Sequence, residues 1–283
     1  TDNGTGVDSQ ASAAIILAGQ ITSQGNITVQ SEVDHTVNLK TDEITLDLLT
    51  TFASVSTVDI AAAAALSAQS GVVQLSAMTT GIAASTTQQG RAQNTATETA
   101  TVRIGETAGN RAVIDAQGID LSAKTETEYT AIGAQAVNQV SGETRTEVVN
   151  AELKATAAGI SLAALDKSRL TSTATRREVD LNALAALQIP NLVLEASKAQ
   201  NELIREVAAS IVDAQVRVEN GDLNLLAEKS AQMSATAAAT SVSARPALIP
   251  TFSLSGGGTF ATNSLLGSIN AFIADSNLET TGA

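Results

Sequence analysis

With 283 residues, no Cys, one His, four Phe, one Tyr and no Trp, the chain can hold neither a disulfide framework nor a cysteine-ligated metal nor a core built on large rings. A formal charge of −13, with 16 basic residues scattered among 29 acidic ones, excludes a phosphate-binding groove of clustered Lys and Arg, and with it a nucleic-acid partner. No run reaches the ~18 apolar residues of a membrane span, and the apolar stretch 13–18 has no basic flank that would make it a signal peptide.

From the N-terminus, residues 1–12 read as a polar segment that folds over the first coil or stays disordered, and residues 13–283 as a single repeat domain. The first residue, Thr1, points to a mature or excised piece of a longer protein. Glycines followed by alternating apolar residues recur at Gly25, Gly71, Gly118, Gly159 and Gly221. Alternation after a turn residue is the pattern of a strand with one buried face. A second apolar mark follows each glycine, at Val37, Ile82, Tyr129, Leu170 and Met233.

Between the glycines lies an asparagine mark, at Asn94, Asn138, Asn201 and Asn263. The last third repeats closely: Asn201, Leu203, Val207, Ala209, Ile211, Asp213 and Val216 match Asn263, Leu265, Ile269, Ala271, Ile273, Asp275 and Leu278, and Gly221 answers to Gly282. Counting both marks, the chain advances in steps of about 21 residues, which predicts an all-β fold, a right-handed parallel β-helix (β-solenoid) of about 13 coils and a rod of roughly 60 Å. Stretches 201–214 and 263–273 also carry helical spacing, but their equivalence to the alternating stretches 101–104 and 147–153 favours strands. Pro190, Pro246 and Pro250 fall in two steps of double length, where the coil should bulge or carry a loop.

Site chemistry is sparse, and no catalytic, cofactor-binding or metal-binding residue is assigned. His35 shares the face of Val33 and Val37 and reads as lining rather than as a base. Asp42, Glu43 and Asp47 could offer oxygens to calcium, but no Gly-Gly-x-Gly-x-Asp series supports this and they read as solvated turn acids. Asn150, Asp213 and Asp275 read as turn residues whose side chains cap local backbone. Gly256-Gly257-Gly258 lacks the Lys-Ser/Thr of a phosphate loop. The pairs Thr95/Thr97 and Thr171/Thr173 are too far apart in phase for an ice-binding ladder.

The stretch from Ile114 to Lys124, with Asn263 and the run Ala271 to Leu278, resembles the degenerate repeats of very large bacterial exported proteins, the haemagglutinin-like adhesins and exoproteins. The resemblance implies a structural or interaction protein, not an enzyme: a β-helical rod segment of a surface or extracellular fibre. Its expected partners are neighbouring copies or further repeats end to end, with host or cell-surface glycans as candidates. The alternative is a carbohydrate-binding or polysaccharide-active β-helix, which would need convergent carboxylates and aromatic platforms for sugar rings.

Overall fold

A computed structural model describes residues 4–42, 46–180, 192–243 and 254–281. Among them there is no helix; they are mostly strand, joined by turns and arranged in two parallel sheets. The first sheet stacks β1 (Gly4–Leu17), β4 (Asp47–Ile60), β6 (Arg91–Ile104), β8 (Gln135–Val149), β10 (Leu192–Val212) and then β13 (Leu254–Leu266) with β14 (Ile269–Ala274). The second stacks β2 (Gln20–Ser23) with β3 (Ile27–Lys40), β5 (Ala65–Thr86), β7 (Ala112–Gly133), β9 (Ala151–Asp180), β11 (Gln215–Val218) with β12 (Leu223–Ser243), and β15 (Asn277–Thr280) on β11. The chain alternates between the sheets, so each layer holds one pass through each, and six layers are formed, the last without a long second-sheet strand among the described residues.

Both sheets are needed because the strands are apolar on one face only. In β4 the burial alternates strictly, with Leu48, Phe52, Val58 and Ile60 inward and Thr51, Val55 and Asp59 outward. The main core lies where the end of the first sheet meets the start of the second: Val58, Ile60, Leu66, Val73 and Leu75, then Val102, Ile104, Ile114 and Leu121, then Val148, Leu153 and Leu162. Burying such columns of β-branched and leucine side chains is the main favourable term in this fold.

The second-sheet passes bend at the glycine mark. A short arm of four residues precedes it and a long arm follows, with the register shifting between Ala68 and Val72 and between Ala116 and Gly118. Glycine is needed because the backbones touch: a Cβ on Gly71 would sit 2.4 Å from the carbonyl carbon of Gly25, and one on Gly159 2.4 Å from the carbonyl oxygen of Asp222.

The layer, however, is not 21 residues. The asparagine mark steps by 44, 63 and 62 residues between stacked positions, and the second sheet begins with a step of 46. The third to fifth layers each contain one glycine corner and one asparagine, on different sheets, so counting both marks counts half-layers. Six layers at ~4.8 Å give a height near 30 Å, while a 14-residue strand runs about 45 Å, so the described chain is a slab and not the expected rod. The prolines and Glu43 lie outside the described residues, as does Gly282.

Other expectations sort cleanly. Residues 201–212 and 263–273 are strands, paired in register from Asn201 and Asn263 to Ile211 and Ile273. The polar run Gly4 to Ala11 belongs to β1 and pairs residue for residue with β4. Asn150, Asp213 and Asp275 do make turns, with φ of 46°, 50° and 50°, a left-handed conformation that Asn and Asp tolerate better than most residues. The side chains of Asn150 and Asp213 are not simple local caps: the Asn150 amide donates to the Gly109 carbonyl at 3.3 Å, and Asp213 lies 3.8 Å from Arg111.

Candidate functional site

The asparagine mark forms a ladder through the interior of the slab. Thr50 donates to Asn94 Oδ1 at 2.6 Å, Asn94 Nδ2 to Asn138 Oδ1 at 2.8 Å, Asn138 Nδ2 to Asn201 Oδ1 at 2.9 Å and Asn201 Nδ2 to Asn263 Oδ1 at 2.9 Å. The second N–H of each amide crosses to the other sheet, to the carbonyls of Thr130, Thr171 and Ser234 at 2.7 to 2.8 Å. An amide buried without partners would be costly, and here both donors and the acceptor are used, so the ladder fixes register at little penalty. Asn94, Asn138 and Asn201 are fully buried.

Four residues further along the same strand face, the interior turns ionic. Glu98 on β6, Gly142 on β8 and Arg205 on β10 occupy one column. With no side chain at Gly142, the Arg205 guanidinium spans that layer and donates from Nη2 to Glu98 Oε2 at 2.9 Å, both side chains being fully buried. From the second sheet, Tyr129 donates to Glu98 Oε1 at 2.8 Å and Thr127 donates to Oε2. Gly81 completes the space: a Cβ there would lie 1.7 Å from Glu98 Oε1. Asp166 on β9 approaches Arg205 Nη1 at 3.6 Å and accepts from Ser168 at 3.0 Å. Lys229 on β12 donates to the carbonyls of Arg205 at 3.2 Å and Leu266 at 2.9 Å.

Burial dominates the electrostatics of this cluster. Asp166 is pushed above the usual carboxylate range by desolvation, which the Arg205 charge only partly offsets, and its Oδ2 has no hydrogen bond. The Tyr129 phenol is raised by desolvation and by Glu98, and Lys229 is lowered by desolvation. A carboxyl whose folded pKa is raised contributes most to stability below its unfolded pKa, about 3.9, and that contribution fades as pH rises toward the folded value. Asp166→Asn removes this penalty, so the variant should gain stability over the native chain from about pH 4 upward, the gain levelling off once Asp166 would be ionised. Urea unfolding of both chains at several pH values reads this directly; a gain that shrank as pH rose would contradict the assignment.

The residues singled out by sequence are dispersed. His35 lines the interior, its ring 4.5 Å from Phe52 and its Nδ1 sharing a hydrogen bond with Ser54 at 3.3 Å; Phe52 in turn meets Tyr129 at 5.9 Å. Asp47 accepts the Arg91 backbone N–H at 2.7 Å. Among the described residues, no three His, Asp or Glu side chains are grouped so that they could hold a metal ion, and no helix is long and apolar enough to cross a membrane. The pairs Thr95/Thr97 and Thr171/Thr173 lie on different sheets, on β6 and β9. Ile82 points outward and the interior column instead runs Val37, Ala83, Tyr129, Leu170, Met233. On the outer face of the second sheet, a depression of about 210 Å³ is walled by Ile82, Glu126, Glu128, Lys167 and Arg169. Glu126 there is held below the usual carboxylate range by its hydrogen bond with Lys124, 2.7 Å away.

The ionic cluster was the part that sequence reading missed, although a signal existed. Glu98 and Arg205 share the strand parity of Asn94, Ala96, Leu203 and Val207, which are buried; a charge on the apolar parity of a strand needs a partner. No family model, no curated protein and no solved structure matches the chain.

Proposed function

We propose that the chain is a structural and interaction module, a segment of a right-handed β-solenoid that serves as part of a bacterial surface or extracellular fibre. The observation that carries this reading is the in-register stack of equivalent residues, above all the asparagine ladder, in two parallel sheets visited alternately. Parallel crossovers are almost always right-handed, which gives the winding its sense. Each layer buries its apolar face on the next, so the architecture can be extended without a new fold, as in other repeat arrays. The asparagine ladder and the Glu98–Arg205 pair engage their interior polar groups in register and ion pairing, and the acidic surface keeps such segments soluble and apart. Binding, where it occurs, belongs to the outer faces and to the ends.

Two measurements test the proposal. Immunogold labelling and protease shaving of intact producing cells should place the protein outside the envelope, and electron microscopy of the native material should show density with the ~4.8 Å layer spacing along a fibre axis. Labelling confined to the cell interior would refute the surface role, and a compact particle without that spacing would refute the fibre.

A further inference from the structure

The outer face of the first sheet changes character part-way along the stack. β1 pairs with β4 and β4 with β6 without a register shift, so this face lacks the corner that bends the second sheet. From Gln10 to Ala14 on β1, from Thr51 to Thr57 on β4 and from Thr95 to Thr101 on β6, every outward side chain is uncharged, and on β6 all of them are threonine. Val55 lies at the centre of this block and is 38 % exposed. Its column runs from Ser12 through Val55 to Thr99 and then turns acidic, at Glu143 on β8 and Glu206 on β10. Copies of a chain with a formal charge of −13 repel one another where acids face acids. A flat block without charge is where two of them can meet.

We infer that this block is an interface with a second copy of the chain, sheet face against sheet face. Its short side chains, mostly Ala, Ser, Thr and Val, allow the ~10 Å spacing of packed sheets. A two-fold axis parallel to the strands lays β4 on the β4 of the second copy and β1 on its β6. Val55 then meets its own counterpart, Ser12 meets Thr99 and Ala14 meets Thr101, while Glu143 and Glu206 fall outside the contact. An axis through Val55 along the stack would instead set Glu143 against Glu143 and Glu206 against Glu206, and like charges disfavour it. Three strands wide and about 30 Å long, the face offers roughly 400–500 Å² on each copy. That is the low end for a specific interface, so the contact is weak and reversible. It adds a lateral partner to the end-to-end extension of the fibre reading and does not depend on it, since the purified chain shows it wherever the protein resides.

The test is sedimentation equilibrium of the purified chain from micromolar to millimolar concentration, at low and at physiological salt. A reversible equilibrium of monomer and dimer is expected, tighter at the higher salt because screening weakens the repulsion between two acidic molecules. Val55→Asp and Thr99→Asp should each weaken it at least tenfold. Thr171→Asp adds the same charge on the outer face of the second sheet and should leave it nearly as in the native chain. All three side chains reach solvent, so thermal unfolding of the variants should change little. The chain holds no cysteine, so Val55→Cys should give a covalent dimer under mild oxidation, whereas Ile82→Cys on the second sheet should not. A strict monomer at millimolar concentration would overturn the proposal. So would association unchanged in both aspartate variants of the first sheet, or cross-linking as fast through Ile82→Cys as through Val55→Cys, because the contact would then lie at the ends of the stack or on the second sheet.

Discussion

Arg205→Met should lower the stability of the folded chain by about 3–5 kcal/mol, the usual loss when one partner is taken from a buried ion pair. The cost comes less from the lost attraction than from the carboxylate left behind. Glu98 is fully buried, and without Arg205 its remaining partners are the hydroxyls of Thr127 and Tyr129. Replacing the pair together, Arg205→Met with Glu98→Gln, should therefore recover much of the loss, because no unpaired charge remains. Urea unfolding at pH 7 of the two single variants and the double variant measures the coupling. A double variant as unstable as the sum of the singles would mean that Glu98 and Arg205 act independently, against the geometry described.

Gly142→Ala should be comparably damaging, by roughly 3–5 kcal/mol, for a purely steric reason. Gly142 has a φ of 136°, and an added Cβ would lie 1.8 Å from the Glu98 carbonyl oxygen. β8 is held between β6 and β10 along its whole length, so it cannot step aside. Gly267 provides the control. It lies next in the same column, its φ is 110° and its Cβ would come 2.0 Å from the Arg205 carbonyl oxygen, but it falls in the gap between β13 and β14 on the outermost layer, which can shift toward open space. Gly267→Ala should thus cost clearly less, and thermal unfolding of the two alanine variants decides the matter. Equal losses would show that the outer layer is held as rigidly as the inner ones.

The parts of this fold that were legible in the sequence are those written in local alternation and in recurrence. Strand parity is local, so His35 could be placed beside Val33 and Val37, and the strands at 201–212 and 263–273 could be told from helices by their likeness to earlier stretches. Recurrence marked the asparagines, since a stacked amide needs the same residue at each level, but the mark was read as a further coil and not as a ladder. The layer length was misread because two marks of different kind, a backbone corner and a side-chain ladder, interleave at nearly equal spacing, and a one-dimensional list does not say which of them face each other. The ionic cluster was hidden for a different reason. Its members, Glu98, Gly142, Arg205 and Asp166, are each unlike the residues above and below them, so a search for likeness passes over them; only the pairing of the two sheets brings them together.

The span from Glu98 to Arg205 has a mechanical consequence. If the chain is drawn out by its C-terminus, layers peel away one at a time, because each is held to the next by a single row of strand pairing that can open from its end. Freeing one layer of 62 residues releases roughly 200 Å of chain, and one of 44 residues about 150 Å. The guanidinium on the fifth layer grips a carboxylate on the third, so the fifth layer cannot leave until a buried ionic contact has been broken in addition to its strand pairing. Under tension the protein should give up its outermost layer readily and then hold at a higher force, a sacrificial length followed by a latch.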